Sequence, residues 1–126
     1  MDYHKFDNVF AKIGGINALH EIVDRFYDKV MADNTVNNFF KDANMDIQRG
    51  KMKAFLMMAL GGPAKFTGKD MRQAHARLVT NGLADIHFDT IILHLDNALN
   101  EFGVVESTRN DVRGVIESVR ADVLNK

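Results

Sequence analysis

At 126 residues the chain can bury one core and is too short for two ordinary domains, so residues 1–126 are read as one unit. Apolar residues make up 46% and charged residues 26%, which excludes a disordered or membrane-embedded chain, and the lack of cysteine excludes disulfides, thiolate metal sites and a cysteine nucleophile. The formal net charge of −1 gives no overall pull toward nucleic acid, yet the stretch from Arg49 to Arg77 carries a local charge of +6.

The opening Met1-Asp2-Tyr3-His4-Lys5 has no apolar run behind it, and the longest apolar run, Ala54 to Leu60, is far too short to span a membrane. A cytoplasmic protein is expected. After Gly14-Gly15, the residues Ile16, Leu19, Val23, Phe26 and Val30 recur at three- and four-residue steps and predict a helix near 16–31. Asp33-Asn34-Thr35 ends it, and Phe39-Phe40 falls in a short connecting segment. A second helix is predicted from about Asn44 to Leu60, stopped by Gly61-Gly62-Pro63. A basic loop containing Gly68 leads to a shorter helix over about 70–79, broken by Thr80-Asn81-Gly82. Phe88, Ile91, Ile92, Leu95, Leu99 and Phe102 then mark a helix over 86–102, ended by Gly103. Val112, Val115, Ile116, Val119 and Val123 mark a last one over 107–124. No segment alternates with period two. The fold class is all-α.

Several sites fail on spacing. Gly62 to Gly68-Lys69 has five residues between its glycines instead of four, and Asp70 stands where a phosphate loop needs Ser or Thr. His87 and His94 are two helical turns apart, too far to share one metal ion comfortably. His20, beside Glu21 and Asp24, reads as an exposed helix edge. Neither a His-Glu-x-x-His pair nor a nucleophile elbow is present, so a hydrolase has no footing.

Two placements are odd. His75 shares a helix face with Met71, Leu78 and Val79, where a histidine is either a satisfied core residue or a metal ligand. Gln48, Lys51, Met52, Phe55 and Ala59 share the face that should pack, although two of them are polar. Either Lys51 snorkels to the rim and Gln48 sits at a boundary, or this face lines a pocket whose occupant wants a hydrogen-bond donor and a cation. An iron porphyrin would satisfy both oddities: an imidazole on the iron, polar groups opposite, and basic residues near the propionates. A helical interaction module without cofactor is the reading in which His75 is merely core.

From Gly14-Gly15 to its end the chain resembles the truncated haemoglobins, and within them the first group. The resemblance rests on an ordered set: Gly14-Gly15, Phe26-Tyr27, Phe39-Phe40, Met45 to Phe55, Gly61-Gly62-Pro63, Met71-Arg72-Gln73-Ala74-His75 and His87-Phe88. It implies a two-over-two helical sandwich around haem b, with helices near 16–31 and 45–60 facing those near 86–102 and 107–124. It implies a proximal helix hung on the loop from Gly61 to Asp70. Matched residue by residue, it implies His75 as proximal iron ligand and Tyr27 and Gln48 as donors to a bound gas. Phe40, Met52, Phe55, Met71 and Phe88 would contact the porphyrin or border the ligand route. Lys51 would either ligate the iron or meet a propionate. Some members hold a second amide where this chain has Met52. Others tie a haem vinyl to a histidine of the last helix, where this chain reads Glu117-Ser118-Val119-Arg120; non-covalent haem is therefore expected.

The implied ligands are dioxygen, nitric oxide and carbon monoxide. The implied activity is oxidation of nitric oxide to nitrate, with reversible oxygen binding or sensing, or a redox role, as alternatives. No flavin or nicotinamide motif is present, so turnover would need a separate reductase, for which the basic segment from Arg49 to Arg77 is a candidate dock.

Overall fold

The computed structural model describes residues 9–61 and 68–126, with the side chains of Gly68 and Lys69 outside that description. The readings on Met1 to Lys5, on Gly62-Pro63, on Lys65 and on most of the basic loop lie outside the described residues. Seven helices occur among the described ones: α1 Val9–Ile13, α2 Gly15–Met31, α3 Met45–Ala59, α4 Gly68–Thr80, α5 Asp85–Glu101, α6 Glu106–Glu117 and α7 Arg120–Val123. A 3₁₀ turn, Asn37–Phe40, carries Phe39 and Phe40. No described helix is long and apolar enough to cross a membrane.

Local chemistry sets the boundaries. Gly14 takes φ +113° at the head of α2, and a Cβ there would stand 2.8 Å from that of Ala18. Asn44 caps α3, its side-chain oxygen accepting from the amides of Asp46 and Ile47 at 3.0 and 3.2 Å. At α5, the Nδ1 of His87 accepts the amide of Ala84 at 3.0 Å. This ring therefore serves a helix start.

α2 packs on α3 and crosses α5, and α5 packs on α6. Leu19, Ile22, Val23, Phe26 and Val30 of α2 meet Leu95, Ala98 and Leu99 of α5 and Val112, Val115 and Ile116 of α6 in one core cluster. Burial of such side chains contributes about 1.5–3 kcal/mol each and dominates the fold's stability. Ile16, expected in the same stripe, is 40% exposed instead, because it stands on the first turn of α2 at the stripe's edge.

Two elements depart from the sequence reading. α1 was absent from it; its Val9 and Ile13 are buried one turn apart, and the amide of Phe10 donates to the carbonyl of Leu60 at 3.0 Å. The helix expected over 107–124 breaks at Ser118 and Val119. There the amide of Ser118 is shared between the carbonyls of Gly114 and Val115, its hydroxyl also donates to Val115, and the amide of Val119 turns back to Ile116. A hydroxyl competing for carbonyls tightens the turn, and α7 resumes on a new course.

Candidate functional site

α3 and α4 bury strangely little of themselves. In α3 only Leu56 is fully buried, and no described side chain of α4 is. Their apolar sides are spent on a cavity of about 1120 Å³. That is slightly beyond ordinary small-molecule pockets, which run to roughly 1,000 Å³. The odd face of α3 is thereby explained: Gln48, Lys51, Met52 and Phe55 all stand on the cavity wall. Across from them α4 presents Met71, Ala74, His75 and Leu78, while Tyr27 comes from α2, Phe40 from the 3₁₀ turn and Phe88 from α5. The nine residues matched to haem or ligand roles in the sequence, Tyr27, Phe40, Gln48, Lys51, Met52, Phe55, Met71, His75 and Phe88, all line this one space, whereas Ala59 of the same α3 face does not.

His75 is half-buried, and its Nδ1 lies 2.8 Å from the carbonyl oxygen of Met71. A carbonyl can only accept, so Nδ1 carries a proton, and in the neutral ring the lone pair falls on Nε2. A histidine oriented in this way is the usual form of a metal-ligating imidazole, with its other nitrogen held by a backbone carbonyl. The chemistry of this donor, the flat aromatic walls and the volume fit an iron porphyrin.

On the opposite wall Tyr27 is 2% exposed, with its ring edge-on to Phe26 at 4.7 Å and to Phe40 at 5.8 Å between centroids. The amide nitrogen of Gln48 donates to the Tyr27 hydroxyl oxygen at 3.0 Å. With its oxygen accepting from Gln48, the hydroxyl keeps its own proton to donate. Burial pushes the phenol above its usual pKa, against the lowering pull of the Gln48 bond and the Arg49 charge, so it stays a donor.

Cations on the cavity wall are Lys41, Lys51 and Arg77, all solvent-exposed, with Asp42 among them. The wall is thus apolar within and positively charged at its edge. Lys41 was missed by the sequence reading, which located the charge between Arg49 and Arg77. Within that stretch Arg49 pairs with Asp24 at 3.4 Å and Arg72 with Asp122 at 2.9 Å. These two are committed to the fold and contribute little to a rim or dock. His94 pairs with Asp33 at 2.7 Å and His87 caps α5, and no metal-binding cluster occurs among the described residues.

A smaller cavity of about 310 Å³ lies between α3 and α6, lined by Met58, Ala59, Gly114, Val115 and Ser118. Phe55 and Val119 belong to the walls of both.

A family model described as bacterial-like globin matches residues 8–125. The chain is 47% identical to a group 1 truncated haemoglobin of Chlamydomonas moewusii, over 94% of this chain and 68% of that protein. To the group 1 truncated haemoglobin of Tetrahymena pyriformis it is 42% identical, over 98% of this chain and 99% of that one. The crystal structure of the Tetrahymena protein in its Fe(III) form superposes with a TM-score of 0.84 over 94% of this chain and 98% of that one. A 2/2 haemoglobin of a Synechococcus species, solved in the cyanomet state with covalently attached haem, is 40% identical. It superposes with a TM-score of 0.87, covering 94% of this chain and 98% of that one.

Proposed function

The chain belongs to the group 1 truncated haemoglobins, and from that premise we propose that its cavity holds haem b non-covalently, binds dioxygen and converts nitric oxide to nitrate. The observation that carries the reading is the His75 imidazole, its Nδ1–H on the Met71 carbonyl, facing a Tyr27 hydroxyl whose oxygen is already engaged by Gln48. Bound haem iron supplies reversible binding of diatomic gases and one-electron chemistry.

The protein's contribution is positional. His75 offers Nε2 as the proximal donor, and Phe40 and Phe88 supply apolar walls for the macrocycle. Tyr27 offers an O–H to the ligand, a bond worth about 1–1.5 kcal/mol in net stability. Gln48 holds the tyrosine oxygen, so part of its effect passes through Tyr27. Met52 fills the same wall without a donor. Lys41, Lys51 and Arg77 supply positive charge for propionates. Glu117-Ser118-Val119-Arg120 contains no histidine, which supports haem held without a covalent tie.

Tight retention of dioxygen suits chemistry better than delivery. One nitric oxide, one dioxygen and one electron balance one nitrate, the electron coming from a separate reductase. Phe55, standing between the two cavities, supports a role as a border on the path of the gas.

A second reading gives the Lys51 amine the distal position when no gas fills it. It is favoured by the place of Lys51 on the cavity wall with no ion pair among the described residues.

The test is His75→Ala, expressed with ample haem supply. Loss of the intense Soret band is expected; a variant as red as its parent would overturn the haem reading. Rapid nitrate formation when the ferrous, dioxygen-saturated protein meets nitric oxide, continuing over many equivalents with a supplied electron donor, supports turnover, and slow or absent nitrate leaves a binder or sensor.

A further inference from the structure

The helix that carries His75 has one main helical neighbour among the described elements, the four-residue α7. Three bonds join α4 to α7 and to the residues that follow it. The Arg72 guanidinium donates to Asp122 at 2.9 Å and to the main-chain oxygen of Lys126 at 2.7 Å. In return the Asn125 side-chain amide donates to the carbonyl of Arg72 at 3.1 Å. Arg72 directly follows Met71, whose carbonyl orients the His75 ring. Two consecutive carbonyls, one turn before the imidazole, are therefore gripped by side chains.

α7 is itself anchored. Arg120 donates to Asp85 at 3.1 Å and to Asp89 of α5, and Lys126 reaches Asp85. The Arg120 guanidinium also lies 4.5 Å over the ring of Phe88, a cavity wall residue. The break at Ser118 and Val119 turns these residues onto α4 and α5 together.

We propose that α7 and the residues after it form a clasp that positions α4, so that Arg72 and Asp122 are positioning residues for the proximal imidazole. This rests on the reading of His75 as iron ligand. The ring's position is set by a chain of bonds from α5 through Arg120, α7, Asp122 and Arg72, and not by packing of α4 alone, since α4 has no fully buried described side chain.

The experiment compares haem-loaded parent protein with Arg72→Met, Asp122→Ala, Asp122→Glu and Glu101→Gln. Glu101 pairs with Arg25 and Lys29 of α2, far from α4 in the chain of contacts, and serves as the control for a lost ion pair. The readouts are the iron–histidine stretching band of the ferrous protein, the rate of haem loss to an apoglobin acceptor, and hydrogen exchange of the α4 amides. Arg72→Met and Asp122→Ala are expected to shift or broaden the band and to speed haem loss by about threefold to tenfold, as fits charge-assisted bonds. Asp122→Glu should restore most of both. An unchanged band and haem-loss rate in Arg72→Met and Asp122→Ala overturn the clasp, as does an equal change in Glu101→Gln. If the parent itself shows no iron–histidine band, the ligand reading falls. Exchange then decides the clasp, which needs faster exchange in α4 for Arg72→Met than for Glu101→Gln.

Discussion

The side-chain amide of Gln48, on α3, donates to the hydroxyl oxygen of Tyr27, on α2, across 3.0 Å. A tyrosine oxygen that has already accepted one bond has its O–H proton turned away from that donor and free to be given elsewhere. On the proposed reading the pair acts as one device, with the tyrosine as the group that meets the ligand.

Tyr27→Phe is expected to raise the dioxygen dissociation rate by about tenfold, from loss of one hydrogen bond of about 1–1.5 kcal/mol. Gln48→Leu should raise it less. In the Tyr27→Phe background the same Gln48→Leu change should have a much smaller effect, because the amide has lost the oxygen it holds. Stopped-flow displacement of dioxygen by carbon monoxide on the four proteins closes the cycle. Additive effects would mean that Gln48 reaches the ligand independently of Tyr27.

Much of this site was legible in the sequence because it is written in helical periodicity. Gln48, Lys51, Met52 and Phe55 are spaced along one face, and Met71, His75 and Leu78 along another, so two anomalous faces foretold two cavity walls. The unforeseen parts depend on contacts between distant residues. Nothing local to Arg49 or Arg72 shows that Asp24 and Asp122 will take their charges, and nothing local to Lys41 places it on the cavity wall. α1 is too short for a periodic signal. The break at Ser118 escaped because the apolar stripe continues through it to Val119 and Val123; the helix stop shows only in the local bonds of Ser118 and Val119 to Gly114, Val115 and Ile116.

Asp33 links the end of α2 to α5, and its carboxyl is held at a pKa of about 2. The lowering comes first from the Thr35 hydroxyl, then from the Thr35 amide and the bond to His94. A depressed carboxyl stabilises the fold above its ordinary pKa of 3.8, and the contribution is lost as pH falls from there toward about 2. Asp33→Asn, which keeps the shape and removes the charge, should melt below the parent at neutral pH. The gap should close between about pH 4 and pH 2. Thermal melts at several pH values check this, and a gap independent of pH would show that the charge of Asp33 is not what stabilises.

Glycines divide by position. Gly50 and Gly114 lie inside α3 and α6 with nothing within 4 Å of an added Cβ. Replacing each by alanine should stabilise by about 0.5–1 kcal/mol through helix propensity alone. Gly14 is the reverse case, since its φ of +113° and the approach to Ala18 both oppose a side chain. Gly14→Ala should destabilise by more than Gly50→Ala stabilises, measured by urea unfolding.

Lys51 serves either charge or coordination, and the two uses respond oppositely to arginine. A lysine must lose its proton to ligate, and that loss costs less at each higher pH. Ligation therefore predicts a six-coordinate, low-spin ferric fraction that grows from about pH 6 to pH 10 as that cost falls. Lys51→Ala should abolish the growth. Lys51→Arg keeps the positive charge for a propionate but stays protonated throughout, so it should match Lys51→Ala in the ferric spectra while retaining haem as well as the parent. Absorption and paramagnetic resonance spectra of the three proteins across this range decide. Coincident spectra at every pH would remove Lys51 from the iron, and haem loss faster in Lys51→Ala than in Lys51→Arg would assign its charge to the propionates.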